Sequence, residues 1–161
     1  MADLPDGWLT GADQRALQTL AFDKTVLELG AWKGRSTVVL SEAAKYVVSV
    51  DRHEGIEQAG GEDSLPDYLG VARDLPNVAI VVASFADFVP LLAARRFDLV
   101  FIDGDHDYAN VQRDITLALM LDPPVIAFHD WDFAEVRDAA TVILGEPNGV
   151  GGSVAHFKRN T

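Results

Sequence analysis

Short apolar runs alternate along the chain with segments whose apolar residues recur at helical spacing. The apolar runs predict strands over residues 25–29, 46–50, 78–82, 97–102, 125–128 and 153–158. The periodic segments predict helices over residues 11–22, 35–45, 66–74, 85–94, 109–121 and 135–144. Residues 52–65 lack periodicity and predict a surface loop, and residues 145–152 predict a glycine-rich turn.

This alternation predicts an α/β fold. We expect a Rossmann-like, doubly wound and mostly parallel sheet of six or seven strands, with helices on both faces. A chain of 161 residues is long enough for one buried core, so residues 1–161 are expected to form a single domain. Only one strand, residues 153–158, is predicted after the fifth.

The turn after the first strand holds candidate ligand-binding groups. Gly30 and Gly34 allow the backbone to approach a ligand, Glu28 offers an acceptor, and the helix start near Ser36 directs amides at an anion. Asp51 follows about 20 residues later, where such folds bind ribose hydroxyls. The glycine pattern of dinucleotide-binding folds is absent. A ligand with ribose and no phosphate, such as S-adenosylmethionine (SAM), is therefore predicted, and the alternative is a tight turn without a ligand.

Acids and histidines also follow the fourth and fifth predicted strands. Asp103, His129 and Asp130 offer oxygen and imidazole ligands for a divalent cation. In the alternative interpretation, the two aspartates cap the following helices and His129 forms a hydrogen bond within the core. His106 is a candidate general base. Because parallel strands end at one edge of a sheet, these side chains and Asp51 are predicted to converge beside the glycine turn.

The remaining tryptophans and histidines do not point clearly to contact with a ligand. Trp8 is predicted to pack in the core, and Trp131 is equally compatible with core packing and with contact to a ligand. His53 and His156 lack acidic clusters around them and are expected to be structural or exposed.

Composition narrows the classes of partner. A formal net charge of −12 argues against binding to nucleic acid or to an anionic membrane. The chain has no cysteine, which removes disulfides and thiolate metal ligands. No apolar run reaches the length of a membrane span, and the first residues lack a signal-peptide pattern. We expect a soluble, cytoplasmic protein that acts on a small molecule, and a homo-oligomer is left open.

Two segments resemble motifs of a known enzyme family. Residues 26–36 (VLELGAWKGRS) and residues 101–108 (FIDGDHDY) are similar to motifs of class I SAM-dependent methyltransferases. The resemblance is to their metal-dependent O-methyltransferase branch, which includes catechol and macrolide sugar O-methyltransferases. It implies a SAM site formed by Glu28, Gly30, Ala31, Trp32, Gly34, Ser36, Asp51, Ala83 and Ser84.

The same resemblance implies a metal site and an activity. Asp103 would bind Mg²⁺ together with His129 and Asp130, and His106 would be the base. A histidine at 129 departs from the family's usual carboxylate or amide, which shifts the preference toward a transition metal. The implied reaction is methyl transfer from SAM to a hydroxyl of a sugar or a phenol, with Asp103 and His106 as catalytic residues and the metal lowering the pKa of that hydroxyl.

Two other functions compete with this expectation. The short chain is compatible with a non-catalytic SAM-binding accessory module. A metal-dependent hydrolase would use the same acids, but it leaves Glu28, Asp51 and the glycine turn without a role.

Overall fold

The computed structural model describes residues 4–55, 61 and 63–159. Part of the predicted loop, residues 56–60 and 62, lies outside the described residues. In chain order the elements are α1 (Gly11–Ala21), β1 (Thr25–Leu29), α2 (Arg35–Ala43), β2 (Tyr46–Asp51), α3 (Leu65–Ala72), β3 (Val78–Val82), α4 (Phe85–Phe88), a 3-10 helix (Val89–Leu92), β4 (Leu99–Ile102), α5 (Tyr108–Met120), β5 (Val125–Phe128), α6 (Ala134–Leu144), β6 (Gly149–Gly151) and β7 (Val154–Lys158).

The strands form one seven-stranded sheet in the order β3-β2-β1-β4-β5-β7-β6. The first five strands run parallel, and β7 pairs antiparallel with β5 and with β6. The chain winds outward from β1 in one direction and then returns through β4 in the other, so the order reverses between β1 and β4. The predicted doubly wound, mostly parallel α/β fold is confirmed.

Helices cover both faces of the sheet, as predicted. On one face α5 and α6 pack against alternate residues of β1, β4 and β5, in a cluster that includes Val111, Ile115, Val136, Ala139, Leu27, Val100 and Ile126. On the other face α1 and α2 pack against the intervening residues, in a cluster that includes Leu17, Ala21, Val39, Leu40, Val26, Leu99 and Phe101. Burial on both faces explains why the central strands read as continuous apolar runs.

Two predicted elements differ from the structure. A short edge strand, β6, occupies part of the predicted turn at residues 145–152, so two strands follow β5 and the prediction of one was wrong. A Gly-Val-Gly strand lacks the residue types from which strands are read. The helix predicted over residues 85–94 divides into α4 and a 3-10 helix, because Pro90 at the start of the second segment has no N–H for an α-helical hydrogen bond.

Thr10 caps α1. The Thr10 hydroxyl accepts a hydrogen bond from the Asp13 amide, and the Asp13 carboxylate accepts one from the Thr10 amide. Within residues 4–55, 61 and 63–159, none of the helices combines the length and apolar character that crossing a bilayer requires.

Candidate functional site

The carboxyl ends of the parallel strands bring the predicted site residues to one edge of the sheet. The residue after each of β1, β4 and β5 still donates a backbone hydrogen bond to the neighbouring strand. Gly30 donates to the Val50 carbonyl at 3.0 Å and Asp103 to the Leu29 carbonyl at 2.8 Å. His129 donates to the Ile102 carbonyl at 3.1 Å. The predicted convergence of the glycine turn, Asp51, Asp103 and the His129–Asp130 pair at this edge is thus confirmed.

Asp51 holds the turn after β1 in place. One carboxylate oxygen, Oδ2, accepts hydrogen bonds from the amides of Ala31 and Trp32 at 2.8 and 2.9 Å, and Oδ1 accepts one from the His53 amide at 2.8 Å. Trp32 has a φ of 44°, so these bonds stabilise a left-handed conformation that a tryptophan rarely adopts. The side chain of Asp51 thereby fixes the backbone of the predicted cofactor turn.

Gly30 packs against the backbone of Asp103. Its φ is 99°, and a Cβ at this position would collide with the backbone carbonyl of Asp103. Glycine is therefore required where the end of β1 meets the end of β4. The contact fixes the distance between the cofactor turn and Asp103.

The N-terminus of α2 follows the turn and has no side-chain cap. Gly34 is the N-cap residue with a φ of 92°, and as a glycine it has no side chain that could accept a hydrogen bond from the first amides of the helix. By contrast, Ser84 caps α4, accepting from the Asp87 amide at 3.2 Å and donating to its carboxylate at 2.6 Å. Ala83, beside it, donates its amide to the Asp51 carbonyl at 3.1 Å. The amides that begin α2 are thus available to an anionic group.

Glu28 lies beneath the turn and is fully buried. Its Oε2 accepts hydrogen bonds from the hydroxyls of Thr37 and Ser49, both at 2.6 Å, while Oε1 has no hydrogen-bond partner among the residues that the structure describes. Burial raises the pKa of Glu28 to about 7, against the opposing effect of these hydroxyls. The contacts of Glu28 and of the buried Ser36 are therefore with the interior, and their cofactor roles stay predictions.

The second part of the site is a cluster of acids and imidazoles. His129 Nδ1 lies 3.3 Å from Asp103 Oδ1 and 3.1 Å from Asp130 Oδ2, and His106 Nε2 lies 2.7 Å from the same oxygen of Asp130. Ligand atoms of Asp103, His129 and Asp130 all lie within 4.8 Å of one another. They border a cavity of about 10 Å³, which has room for one water-sized particle.

Opposite charges set the protonation of this cluster. Burial opposes a charge on His129, but the hydrogen bonds and charges of Asp103 and Asp130 outweigh it and raise the pKa of His129 to about 10. The hydrogen bond to Asp130 also raises the pKa of His106. Burial would raise the pKa of Asp130, yet the two histidines hold it well below its usual range. Asp130 therefore carries negative charge at neutral pH.

Asp13 stands behind His129 and was missed by the sequence interpretation. Its carboxylate is fully buried, and Oδ2 lies 3.8 Å from His129 Nε2. Burial would raise the pKa of Asp13, but hydrogen bonds from Thr10 and Ser153 hold it below its usual value. The only sequence signal at Asp13 is the capping box with Thr10, which indicates a helix start and not a neighbour of the site.

Aromatic side chains border the edge of the sheet. Trp8 was predicted to pack in the core, but 66% of it is exposed and it stacks on Trp32 with ring centroids 4.5 Å apart. Trp8 belongs to none of the core clusters, whereas its neighbour Leu9 is buried in one of them. Trp131 packs against the core residue Phe157 at 5.7 Å, and Phe133 contacts the His106 ring at 4.7 Å. His53 is buried and donates to or accepts from Ser64 at 3.0 Å.

Comparison with known protein families shows to which family the chain belongs. Residues 27–131, which span the glycine turn, Asp51, Asp103 and the His129–Asp130 pair, match a family model described as a methyltransferase domain. The chain belongs to the methyltransferase-domain family. No functionally curated protein matches this methyltransferase in sequence.

Solved structures agree with this assignment. The methyltransferase is similar to cofactor-bound Rv0187 from MTB, with a TM-score of 0.69 and 25% identity over 99% of this chain and 85% of that one. It shares its fold with an O-methyltransferase from Bacillus cereus in complex with SAH (TM-score 0.66, 20% identity, 97% and 84% of the two chains). It also shares its fold with the O-methyltransferase TomG from Streptomyces achromogenes in complex with SAM (0.67, 20%, 98% and 84%). The resemblance to class I SAM-dependent methyltransferases is confirmed at the level of family and fold.

Proposed function

We propose that this methyltransferase transfers a methyl group from SAM to a hydroxyl oxygen of a small molecule, with assistance from a divalent cation. The observation that carries the proposal is the meeting of two groups at one sheet edge. The turn held by Asp51 lies beside Asp103, and Gly30 joins the two by direct backbone contact. A site for a nucleoside and a site for a cation are therefore adjacent.

The cofactor half of the site fits SAM by its donors and acceptors. The uncapped amides that begin α2 suit the carboxylate of its methionine part. Asp51 Oδ2 accepts from two amides and Oδ1 from one, and the partly exposed carboxylate retains lone pairs for ribose hydroxyls. The SAM- and SAH-bound neighbours support the same ligand.

The cluster of Asp103, His129 and Asp130 fits a divalent cation by its donor set. The two carboxylates and His129 Nδ1 border a cavity large enough for one ion, and a bound cation would replace the proton that Nδ1 holds when no cation is bound. A cation held there supplies charge that stabilises an ionised acceptor hydroxyl. Such a site suits a sugar or phenol hydroxyl at the rim of the cleft.

His106 is placed to take the proton of the acceptor. Asp130 accepts from its Nε2 at 2.7 Å and orients the ring, which leaves Nδ1 for the substrate. In the reaction the acceptor O–H proton passes to His106, the oxygen forms a bond to the methyl carbon, and the bond from carbon to sulfur breaks to release S-adenosylhomocysteine. The residues at the sheet edge contribute mainly by holding the acceptor oxygen and the methyl carbon in line.

Transfer of a labelled methyl group from SAM to a panel of small phenols and sugars tests the proposal. Product formation should require added Mg²⁺ or Mn²⁺ after chelator treatment. Asp103→Asn should lower kcat by about 100-fold or more, since it removes a charge next to the reacting oxygen. Asp63→Asn, which changes an exposed acid on the loop before α3, is the matched control and should be unaffected.

The outcomes separate the competing functions. Full activity in chelator would contradict the role of the cation and leave methyl transfer intact. SAM binding without transfer to any acceptor would favour an accessory module. Absence of SAM binding together with metal-dependent hydrolysis would contradict the proposal as a whole.

A further inference from the structure

His129 presents its two ring nitrogens to different acids. Nδ1 faces Asp103 and Asp130 at 3.3 and 3.1 Å, within the candidate cation site. Nε2 is buried and has no hydrogen-bond partner among the described residues, and the acid that faces it is Asp13, at 3.8 Å. Only 5% of His129 is exposed, so no bulk water offsets the lack of a partner on this side.

Asp13 is held rigidly in this position by four hydrogen bonds. Oδ2 accepts from the Thr10 amide and hydroxyl at 2.7 and 2.6 Å, and Oδ1 accepts from the Ser153 amide and hydroxyl at 2.6 and 3.1 Å. Gly152, with a φ of 65°, allows this approach, because a Cβ there would collide with Asp13 Oδ1. Burying a charged carboxylate costs free energy unless a neighbouring group offsets the charge. Among the described residues, the side chain that can do so for Asp13 is the His129 imidazole.

The same contacts connect Asp13 to the turn that carries His129. The Ser153 carbonyl accepts a hydrogen bond from the Trp131 amide at 3.0 Å, while the Ser153 amide donates to Asp13. Asp130, between His129 and Trp131, has a φ of 56°. The start of α1 and the turn before β7 therefore fix the backbone on which two of the candidate cation ligands lie.

We propose that Asp13 is a positioning residue that keeps the Nε2–H of His129 directed at itself and so presents Nδ1 as a nitrogen ligand to the cation. This inference rests on the cation site of the proposed function. A histidine ligand usually donates its other ring N–H to a carboxylate or carbonyl, which fixes the tautomer and raises the basicity of the ligating nitrogen. The site is thereby adapted to ions that accept imidazole, such as Mn²⁺ or Co²⁺, over Mg²⁺, which prefers oxygen.

Equilibrium titration of chelator-treated protein with Co²⁺ and with Mg²⁺ tests the proposal without any assay of activity. Transition ions bind most mixed nitrogen and oxygen sites well, so the informative quantity is the change in the ratio of the Co²⁺ and Mg²⁺ affinities. Asp13→Asn should lower the Co²⁺ affinity by about 10- to 100-fold and the Mg²⁺ affinity by less, so that the ratio of the two affinities falls. The visible absorption bands of the bound Co²⁺ should shift in this variant, because the basicity of the nitrogen ligand changes.

Two further variants supply a control and a separate test of the nitrogen ligand. Asp98→Asn makes the same change at an acid that accepts a hydrogen bond from the Thr25 amide at 2.8 Å, at the opposite end of β1, so it should leave both affinities unchanged. His129→Asn replaces the nitrogen ligand by an amide oxygen and should reduce the ratio of Co²⁺ to Mg²⁺ affinity by at least about tenfold.

The possible results are distinguishable from failure of the proposed function. A Co²⁺ affinity and spectrum in Asp13→Asn identical to those of the wild type would overturn the role of Asp13. An unchanged ratio in His129→Asn would overturn the nitrogen ligand itself, although the carboxylates could still bind the cation. Failure of the wild type to bind either ion would contradict both this inference and the proposed cation, whereas methyl transfer is tested separately.

Discussion

At the scale of single residues, Asp51 fixes the backbone of the turn after β1 and is also the proposed ribose ligand. Its Oδ2 accepts from two consecutive amides of the turn after β1, and Oδ1 accepts from the His53 amide. The sequence predicts Asp51 as a ribose ligand from its distance to the glycine turn. It does not predict the hydrogen bonds to Ala31 and Trp32, because these depend on the left-handed conformation of Trp32.

Replacing Asp51 by alanine should therefore weaken SAM binding through the turn as well as through the ribose. Hydrogen bonds to a charged group contribute about 1.5–3 kcal/mol each, so we expect affinity to fall by at least about 10- to 100-fold in titration calorimetry. Asp98→Ala is a matched control. Its carboxylate accepts from the Thr25 amide at 2.8 Å, at the opposite end of β1. Equal SAM affinity in wild type and Asp51→Ala would contradict this role.

Glu28 gives the chain a stability that depends on pH. Its pKa in the folded chain, about 7, lies above the ordinary value of 4.5, so the folded state binds more protons than the unfolded state between these pH values. The contribution of Glu28 to the free energy of unfolding is therefore complete below about pH 4.5 and decreases as the pH rises toward 7. The loss amounts to about 3 kcal/mol.

Glu28→Gln should abolish this decrease, because the amide does not titrate. Denaturant titrations at several pH values between 4.5 and 8 measure the free energy of unfolding of both proteins. As the pH rises, the free energy of unfolding of the variant should increase relative to that of the wild type. A difference that stays constant over this range would show that Glu28 titrates normally in the folded chain.

At the scale of elements, the site depends on the close contact between the ends of β1 and β4. Gly30→Ala places a Cβ on the Asp103 carbonyl and also strains a φ of 99°. Gly145→Ala strains a comparable φ of 82° with no atom within 4 Å of the added Cβ, so it isolates the conformational cost. A non-glycine residue in such a sparsely populated backbone region costs about 1–3 kcal/mol.

Gly30→Ala should therefore lower the free energy of unfolding more than Gly145→Ala does, and it alone should weaken both SAM and metal binding. Thermal unfolding and calorimetry on the two variants measure these effects. If the two variants lose equal stability and both bind normally, the backbone contact between Gly30 and Asp103 does not set the geometry of the site.

Elements also show where sequence interpretation succeeds. Strands and helices with strong periodicity, such as β1 and α5, are predicted within a few residues, because burial on both faces leaves a continuous apolar run and burial on one face leaves a helical stripe. The edge strand β6 was missed because it is held by pairing with β7 and not by its own residue types. Asp13 was missed because its contact with Ser153, 140 positions away, exists only in the folded chain.

At the scale of the whole molecule, the order of strands explains why distant residues form one site. The reversal between β1 and β4 brings the carboxyl ends of these strands together at the centre of the sheet. Gly30 and Asp103, far apart in the chain, are thereby in backbone contact. This convergence follows from topology and was predictable, whereas the direction in which each imidazole nitrogen points depends on packing that only the structure displays.

A crystal structure of the protein grown with S-adenosylhomocysteine and Mn²⁺ tests the central claim most directly. The account predicts the nucleoside against Asp51 and the turn after β1. It also predicts an anomalous scattering peak for manganese between Asp103, Asp130 and Nδ1 of His129. A nucleoside bound elsewhere, or a sheet edge without manganese at these three residues, would contradict it.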